Sequence, residues 1–456
     1  MLTDTCLFST AAPAETTTAY RDLFNASKVV TNGTLQVDDI HTLYYEVHGT
    51  GPLNALFLHG GPGAGCFPRH ATFFDPTKYT VVLLDQRGAG KSTPKGCVQD
   101  NTLGHLVEDC ERLRKHLLPS NNNSDVWDVV LGGSWGATLG LAYAQKHPSA
   151  LRSLILRGIC ALRPSEIDWL FSSKGGSSRQ LPEAWKNFSE FVGTEDSVGR
   201  ETLHAYYDCL LNTNGANGTA DNAVRLAAAR SWMMWEMSAT ASASARQSNS
   251  SNETNQSIPK VLVSSPQCNN GRWRFENHLG ELVAEDESLS PEMTALELRK
   301  GIAANDQGME VPMVSEPRPL SPLKESMPLF DAIEKAAKTD SNKTGGFRLP
   351  PDYVPAQAML TCFYSVNDLF VMGNENLLDV ATRNDYGNVK IIGIQGGKDP
   401  ICPPDTALDL LRAMQVSTNN MELRIPLESG HSMYDPAIKH ELVTATDRLA
   451  DEFLND

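Results

Sequence analysis

The sequence predicts an α/β fold in which a mostly parallel sheet is flanked by helices and carries an inserted, mainly helical cap. Three observations predict it. Short β-rich runs alternate with helical sequence up to about Leu156, the rhythm breaks after Arg157-Gly158, and it resumes at Val389. The division that follows is core over residues 1–165, cap with an irregular polar insertion over 166–375, and the second part of the core over 376–456.

The elements justify this in order. From Thr34 to His48, alternating apolar residues around Asp38-Asp39 predict a two-stranded hairpin. Leu53 to Leu58 and Tyr79 to Leu84 are strands that each end in a glycine-rich loop. A helix is expected from Thr102 to Leu117, a strand from Val126 to Leu131, and a helix from about Trp135 to Lys146 that stops before Pro148. Leu151 to Leu156 is the next strand. In the cap, Pro182 to Leu211 and Ala220 to Met237 are helical and rich in Trp, Met and Ala, whereas the polar tract from Ser238 to Ser257 predicts a surface loop. A second irregular stretch, rich in proline and charge, runs from Glu310 to Tyr353. Core rhythm returns with a strand from Val389 to Ile394, a helix from Pro404 to Met414, a strand from Glu422 to Pro426 and a helix from Pro436 to Phe453. An insertion after one strand of such a sheet lies over the carboxyl ends of the strands, where these sheets bind ligands, so the cap is expected to cover the site.

Composition narrows the function. A hydrophobic fraction of 41% and a charged fraction of 21% in 456 residues are ordinary for a globular enzyme. A net charge of −16 repels phosphate backbones and anionic lipid, which argues against nucleic acid or a membrane surface as partner. No apolar run is long enough to span a bilayer. The nine cysteines show no zinc-type spacing, so neither metal nor other cofactor is expected, and a reduced, cytoplasmic compartment fits. The first thirty residues lack a basic start followed by an apolar stretch, and the Asn-x-Ser/Thr triplets at Asn249, Asn252 and Asn255 follow from local composition.

Gly132-x-Ser134-x-Gly136 follows a strand and opens a helix, the setting of the nucleophile elbow of an α/β-hydrolase fold. A serine hydroxyl needs an adjacent base that is itself oriented by a carboxylate, and in this fold the chain order is serine, acid, histidine. His431, in Glu428-Ser429-Gly430-His431, follows the last core strand. Asp399, in Gly396-Gly397-Lys398-Asp399, follows the strand before it; Asp405 is the rival, at a helix start where capping explains it. The anion formed by attack on a carbonyl needs two N–H donors. One is the backbone N–H of Trp135, and the other belongs to the loop His59-Gly60-Gly61-Pro62-Gly63. The segment Asp85-Gln86-Arg87-Gly88-Ala89-Gly90 is expected to brace these loops.

The motifs HGGPGAG, DQRGAGKS, GGSWGATLGLAYAQKHP, LRG, GGKD and SGHS resemble, in order and spacing, those of the proline iminopeptidases, also called prolyl aminopeptidases. The resemblance spans about residues 36–237 and 356–453 and implies the triad Ser134, Asp399 and His431, with an oxyanion hole from Gly61 and Trp135. It implies release of an N-terminal residue, typically proline, from a peptide with a free N-terminus. Recognition of that cationic amine falls to Glu236, in Trp232-Met233-Met234-Trp235-Glu236, which matches the family's lid glutamate. For the second lid glutamate two alignments stand: Glu276, in Phe275-Glu276-Asn277-His278, copies the letters, and Thr361, in Thr361-Cys362-Phe363-Tyr364, suits the distance to Asp399. Cys160 and Leu170 stand where the family has aromatic residues around the proline ring, which leaves strict proline preference open. An esterase or amidase acting on small neutral substrates is the alternative. An epoxide hydrolase or dehalogenase would want a carboxylate at Ser134, and a ligand-binding pseudoenzyme would not keep all three of Ser134, Asp399 and His431.

Overall fold

The computed structural model describes residues 20–118, 125–195, 200–211, 222–249, 261–264, 274–277, 281–285, 353–367, 377–381, 386–417 and 420–455. The antiparallel hairpin of β1 (Val29–Gln36) and β2 (Thr42–His48) leads into β3 (Leu53–Leu58), β4 (Tyr79–Asp85), β5 (Trp127–Gly133) and β6 (Leu151–Arg157). Two more core strands, β10 (Lys390–Ile394) and β11 (Met421–Pro426), come after the cap. The strands β4, β3, β5, β6, β10 and β11 lie side by side in that order, all parallel. Every residue of β5 is buried, as expected for a central strand covered on both faces.

The helices α1 (Leu103–Leu117) and α2 (Trp135–Lys146) pack on one face of the sheet through residues such as Leu106, Val107, Leu139 and Leu141. On the same face lie α9 (Leu377–Ala381) and α10 (Pro404–Ser417), through Leu377, Leu408 and Leu411. The other face is covered by α11 (Pro436–Asn455), whose Ile438, Leu442 and Leu449 join Phe73 and Phe74. Thr102 starts α1, and its side chain accepts a hydrogen bond from the His105 N–H.

The cap contains α3 (Pro164–Phe171), α4 (Gly176–Gln180), α5 (Pro182–Phe191), α6 (Glu201–Leu210) and α7 (Asn222–Asn249), joined by α8 (Tyr353–Val366). Its centre is a separate aromatic cluster of Phe171, Trp185, Phe188, Tyr206, Trp232 and Trp235, which Ala358 and Cys362 of α8 complete. The aromatic content read from the sequence therefore holds the cap together.

Two features depart from the expected layout. The tract expected as a loop from Ser238 continues α7 as far as Asn249. Ala239, Ala241, Ala243 and Ala245 make that part of the tract good helix sequence despite its polarity. The middle of the chain also extends the sheet: β7 (Val261–Ser264), β8 (Arg274–Glu276) and β9 (Leu282–Glu285) add three antiparallel strands beyond β11. All four residues of β7 are buried, so this short addition covers an edge that β11 would otherwise expose. The stretch from Glu310 to 352 lies outside the described residues.

Candidate active site

The turn between β5 and α2 sets Ser134 at φ 56° and ψ −123°, a conformation that L residues rarely adopt. Close packing enforces it. A Cβ on Gly132 would sit 2.0 Å from the Gly136 carbonyl oxygen, and one on Gly136 would sit 2.1 Å from that of Leu58. The Ser134 N–H donates to the Arg157 carbonyl at 2.7 Å, which ties the turn to β6.

Asp399 lies in the loop after β10 and His431 in the loop after β11, so adjacent parallel strands deliver both to the same end of the sheet as Ser134. The Asp399 Oδ1 accepts hydrogen bonds from the Ile401 and Cys402 N–H groups, each at 2.9 Å, while Oδ2 is 2.7 Å from His431 Nδ1. Both residues are buried. The Arg157 guanidinium donates through Nη1 to the His431 carbonyl at 2.8 Å and meets Nε2 at 3.2 Å. Arginine can only donate, so Nε2 is the accepting nitrogen and Nδ1 carries the proton toward Asp399. That is the tautomer a general base requires. Asp405 lies in the first turn of α10, and the carboxylate that accepts from His431 Nδ1 is that of Asp399.

The loop after β3 runs beside the serine: a Cβ on Gly60 would be 3.3 Å from that of Ser134. The Gly61 N–H donates to no group among the described residues. His59 anchors this loop. Burial pushes its pKa down to about 4, so the ring is neutral and its Nε2 accepts from the Gln86 N–H at 3.1 Å. Gln86 in turn donates to the His59 carbonyl and accepts from Trp135 Nε1 at 2.8 Å. Arg87 pairs with Asp109 and Asp38. The Asp85-to-Gly90 segment thus braces both loops that flank Ser134.

One cavity of about 270 Å³ connects these residues to the cap. Gly61, Ser134, Trp135 and His431 line it from the core; Cys160, Leu170, Phe171, Glu236, Gln357 and Thr361 line it from the cap side. The carboxylate of Glu236 accepts from Trp232 Nε1 at 2.9 Å and from Gln357 Nε2 at 3.3 Å. No ion pair reaches it among the described residues, and burial pushes its pKa up to about 7 against these two hydrogen bonds. Thr361 shares its hydroxyl proton between the Pro62 carbonyl at 2.8 Å and that of Gln357 at 3.0 Å, pinning α8 to the loop after β3.

The structure brings together all the expected site residues except Glu276. That residue lies on β8, the second strand from the sheet edge, buried and paired with Arg424 and Arg274, and it is absent from the cavity lining. Its physical partner is Arg424, which also meets Glu441 and Glu422, so its carboxylate completes a buried charge network. Cys160 and Leu170 do lie in the cavity, and Phe67 and Phe171 supply aromatic wall elsewhere. Arg157, Gln357 and Cys402 are among the cavity residues that the sequence did not single out. Arg157 stood in the noted LRG motif, at a strand end where site residues gather. Gln357 had no local signal.

A strained serine turn on a central parallel strand, with an acid and a histidine loop on the strands beyond, defines the α/β-hydrolase class, and residues 56–241 match the profile of the alpha/beta hydrolase fold. The chain is similar to a proline iminopeptidase of Arabidopsis thaliana, with 44% identity over 438 residues, covering 96% of this chain and 84% of that one. It is 30% identical over 436 residues to a probable proline iminopeptidase of Leptolyngbya boryana, covering 95% of this chain and 99% of the other. An alpha/beta hydrolase enzyme from a Medee basin deep-sea metagenome library superposes with a TM-score of 0.44 at 13% identity, over 93% of this chain and 98% of that one. This chain belongs to the proline iminopeptidase family.

Proposed function

We propose that this protein is a serine aminopeptidase that releases an N-terminal residue, preferentially proline, from peptides. The observation that carries the reading is Glu236: a carboxylate without a cationic partner among the described residues faces the cavity that also holds Ser134. A buried carboxylate is costly unless it meets a cation, and the substrate ammonium is that cation.

His431 Nε2 turns from Arg157 to Ser134 Oγ and takes its proton as Oγ bonds to the scissile carbonyl carbon. Asp399 holds Nδ1 and stabilises the imidazolium. The N–H groups of Gly61 and Trp135 bind the developing oxyanion. The imidazolium then gives its proton to the leaving amine as the C–N bond breaks, and water, activated by the same nitrogen, frees the acyl group from Ser134. The Arg157 bond to the His431 carbonyl keeps the loop in place while the ring turns.

The test uses naphthylamides of proline, alanine and leucine, an N-acetylated proline analogue and a p-nitrophenyl ester. Ser134→Ala is expected to abolish turnover and labelling by a fluorophosphonate probe. Glu236→Gln is expected to raise KM for free-amine substrates about tenfold or more while ester hydrolysis persists. Equal turnover of blocked and free amines would sink the aminopeptidase reading and favour the esterase or amidase. No helix among the described residues is long and apolar enough to cross a membrane, and a cytoplasmic location rests on the scattered cysteines.

A further inference from the structure

The sequence shows no cysteine spacing typical of metal sites, yet folding gathers soft ligands around the triad. Cys402 follows Asp399 by three positions, and its N–H donates to the Asp399 carboxylate, which turns the loop so that its side chain comes back beside the acid. One ligand atom each from Cys402 (Sγ), Asp399 (a carboxylate oxygen) and His431 (a ring nitrogen) all lie within 4.8 Å of one another, and all three residues are buried. The Cys160 thiol neighbours that of Cys402, and both cysteines line the cavity, which gives an ion an entry path. Tetrahedral zinc, with bonds of about 2.3 Å to sulfur and about 2.0 Å to nitrogen or oxygen, wants its ligand atoms roughly 3.3–3.8 Å apart. Asp399 Oδ2 and His431 Nδ1, 2.7 Å apart, therefore have to part by roughly half an ångström while the sulfur closes by about one, which assembles a site with one or two sulfurs, one imidazole and one carboxylate, a donor set suited to zinc, cadmium or cobalt and poor for magnesium or calcium.

We propose that Cys402, Asp399 and His431, with Cys160 beside them, form a site for a thiophilic divalent cation that shuts the enzyme off. Coordination exchanges protons for metal: each bound thiol and the His431 Nδ1 release a proton to solvent as their bonds to the ion form. The ion then occupies the space between Asp399 and His431, so the imidazole loses the carboxylate that orients it. The inhibitory half of this proposal rests on His431 being the base of the reaction; the binding half does not.

The experiment titrates the full chain with cobalt and, in parallel, measures proline naphthylamide turnover against added zinc. Wild type is expected to show the charge-transfer absorption of sulfur bound to cobalt, and zinc is expected to displace it. Zinc is expected to lower turnover at least about tenfold, reversibly with a chelator. Cys402→Ala, compared with its own metal-free rate and checked for folding by circular dichroism, is expected to lose the absorption and to need about ten to a hundred times more zinc for half-inhibition. Absence of the absorption in wild type, or equal zinc sensitivity in wild type and Cys402→Ala, overturns the site. Thiolate-bound cobalt with unchanged turnover would keep the cation site and overturn the inhibition, together with the role of His431 on which it depends.

Discussion

At Glu236 two neutral donors, Trp232 and Gln357, meet the carboxylate. Gln357, one turn before Thr361 on α8, donates to the Glu236 carboxylate at 3.3 Å and lines the same cavity. An N-terminal proline offers two ammonium hydrogens, which one carboxylate and one amide oxygen can accept. Gln357→Leu is therefore expected to raise KM for free-amine substrates about tenfold, the worth of one hydrogen bond to a charged group. Because the Gln357 hydrogen bond lowers the Glu236 pKa, the same substitution should move the acid limb of kcat/KM to higher pH, a shift that a purely structural role would not give. Glu236 itself carries a stability signature. Its folded pKa, about 7, lies above the ordinary 4.5, so its contribution to stability is present below pH 4.5 and is lost as pH rises through 7. Thermal melts of Glu236→Gln should match wild type near pH 4.5 and exceed it at pH 8.

Among the elements, the outer strands show what sequence reading could and could not find. Core strands and helices were legible as short apolar runs or helical patterning punctuated by glycine and proline, and the loops after β5, β10 and β11 were legible because each carries its residue within two positions of a glycine. The runs β7 and β8 hold four and three residues, too short for any periodicity, and β8 gains its meaning only from Arg424 on a strand made much later in the chain. That distance is why Glu276 read as a lid glutamate: the letters around it fit, and its partner was invisible. Glu276→Gln is expected to cost about 1–3 kcal/mol of stability by weakening a buried charge network, with KM for proline naphthylamide unchanged. A rise in KM without a change in melting temperature would return it to the substrate.

On the scale of the whole molecule, core and cap together line a small chamber, and neither part forms it alone. Its volume, about 270 Å³, is below that of common ligand pockets and suits one residue with the first atoms of the next. Turnover should therefore fall with the size of the N-terminal side chain, tryptophan naphthylamide being cleaved at least about tenfold more slowly than the proline or alanine compound in kcat/KM. The order of strands in the sheet carries one more consequence. β10 and β11, the last strands synthesised, lie between β6 and β7, both of which leave the ribosome first. The nascent chain thus holds a gap in mid-sheet until its final segment wedges in, a late, long-range closure of the kind that slows folding. The same segment brings Asp399 and His431, so Ser134 waits without either neighbour until that closure.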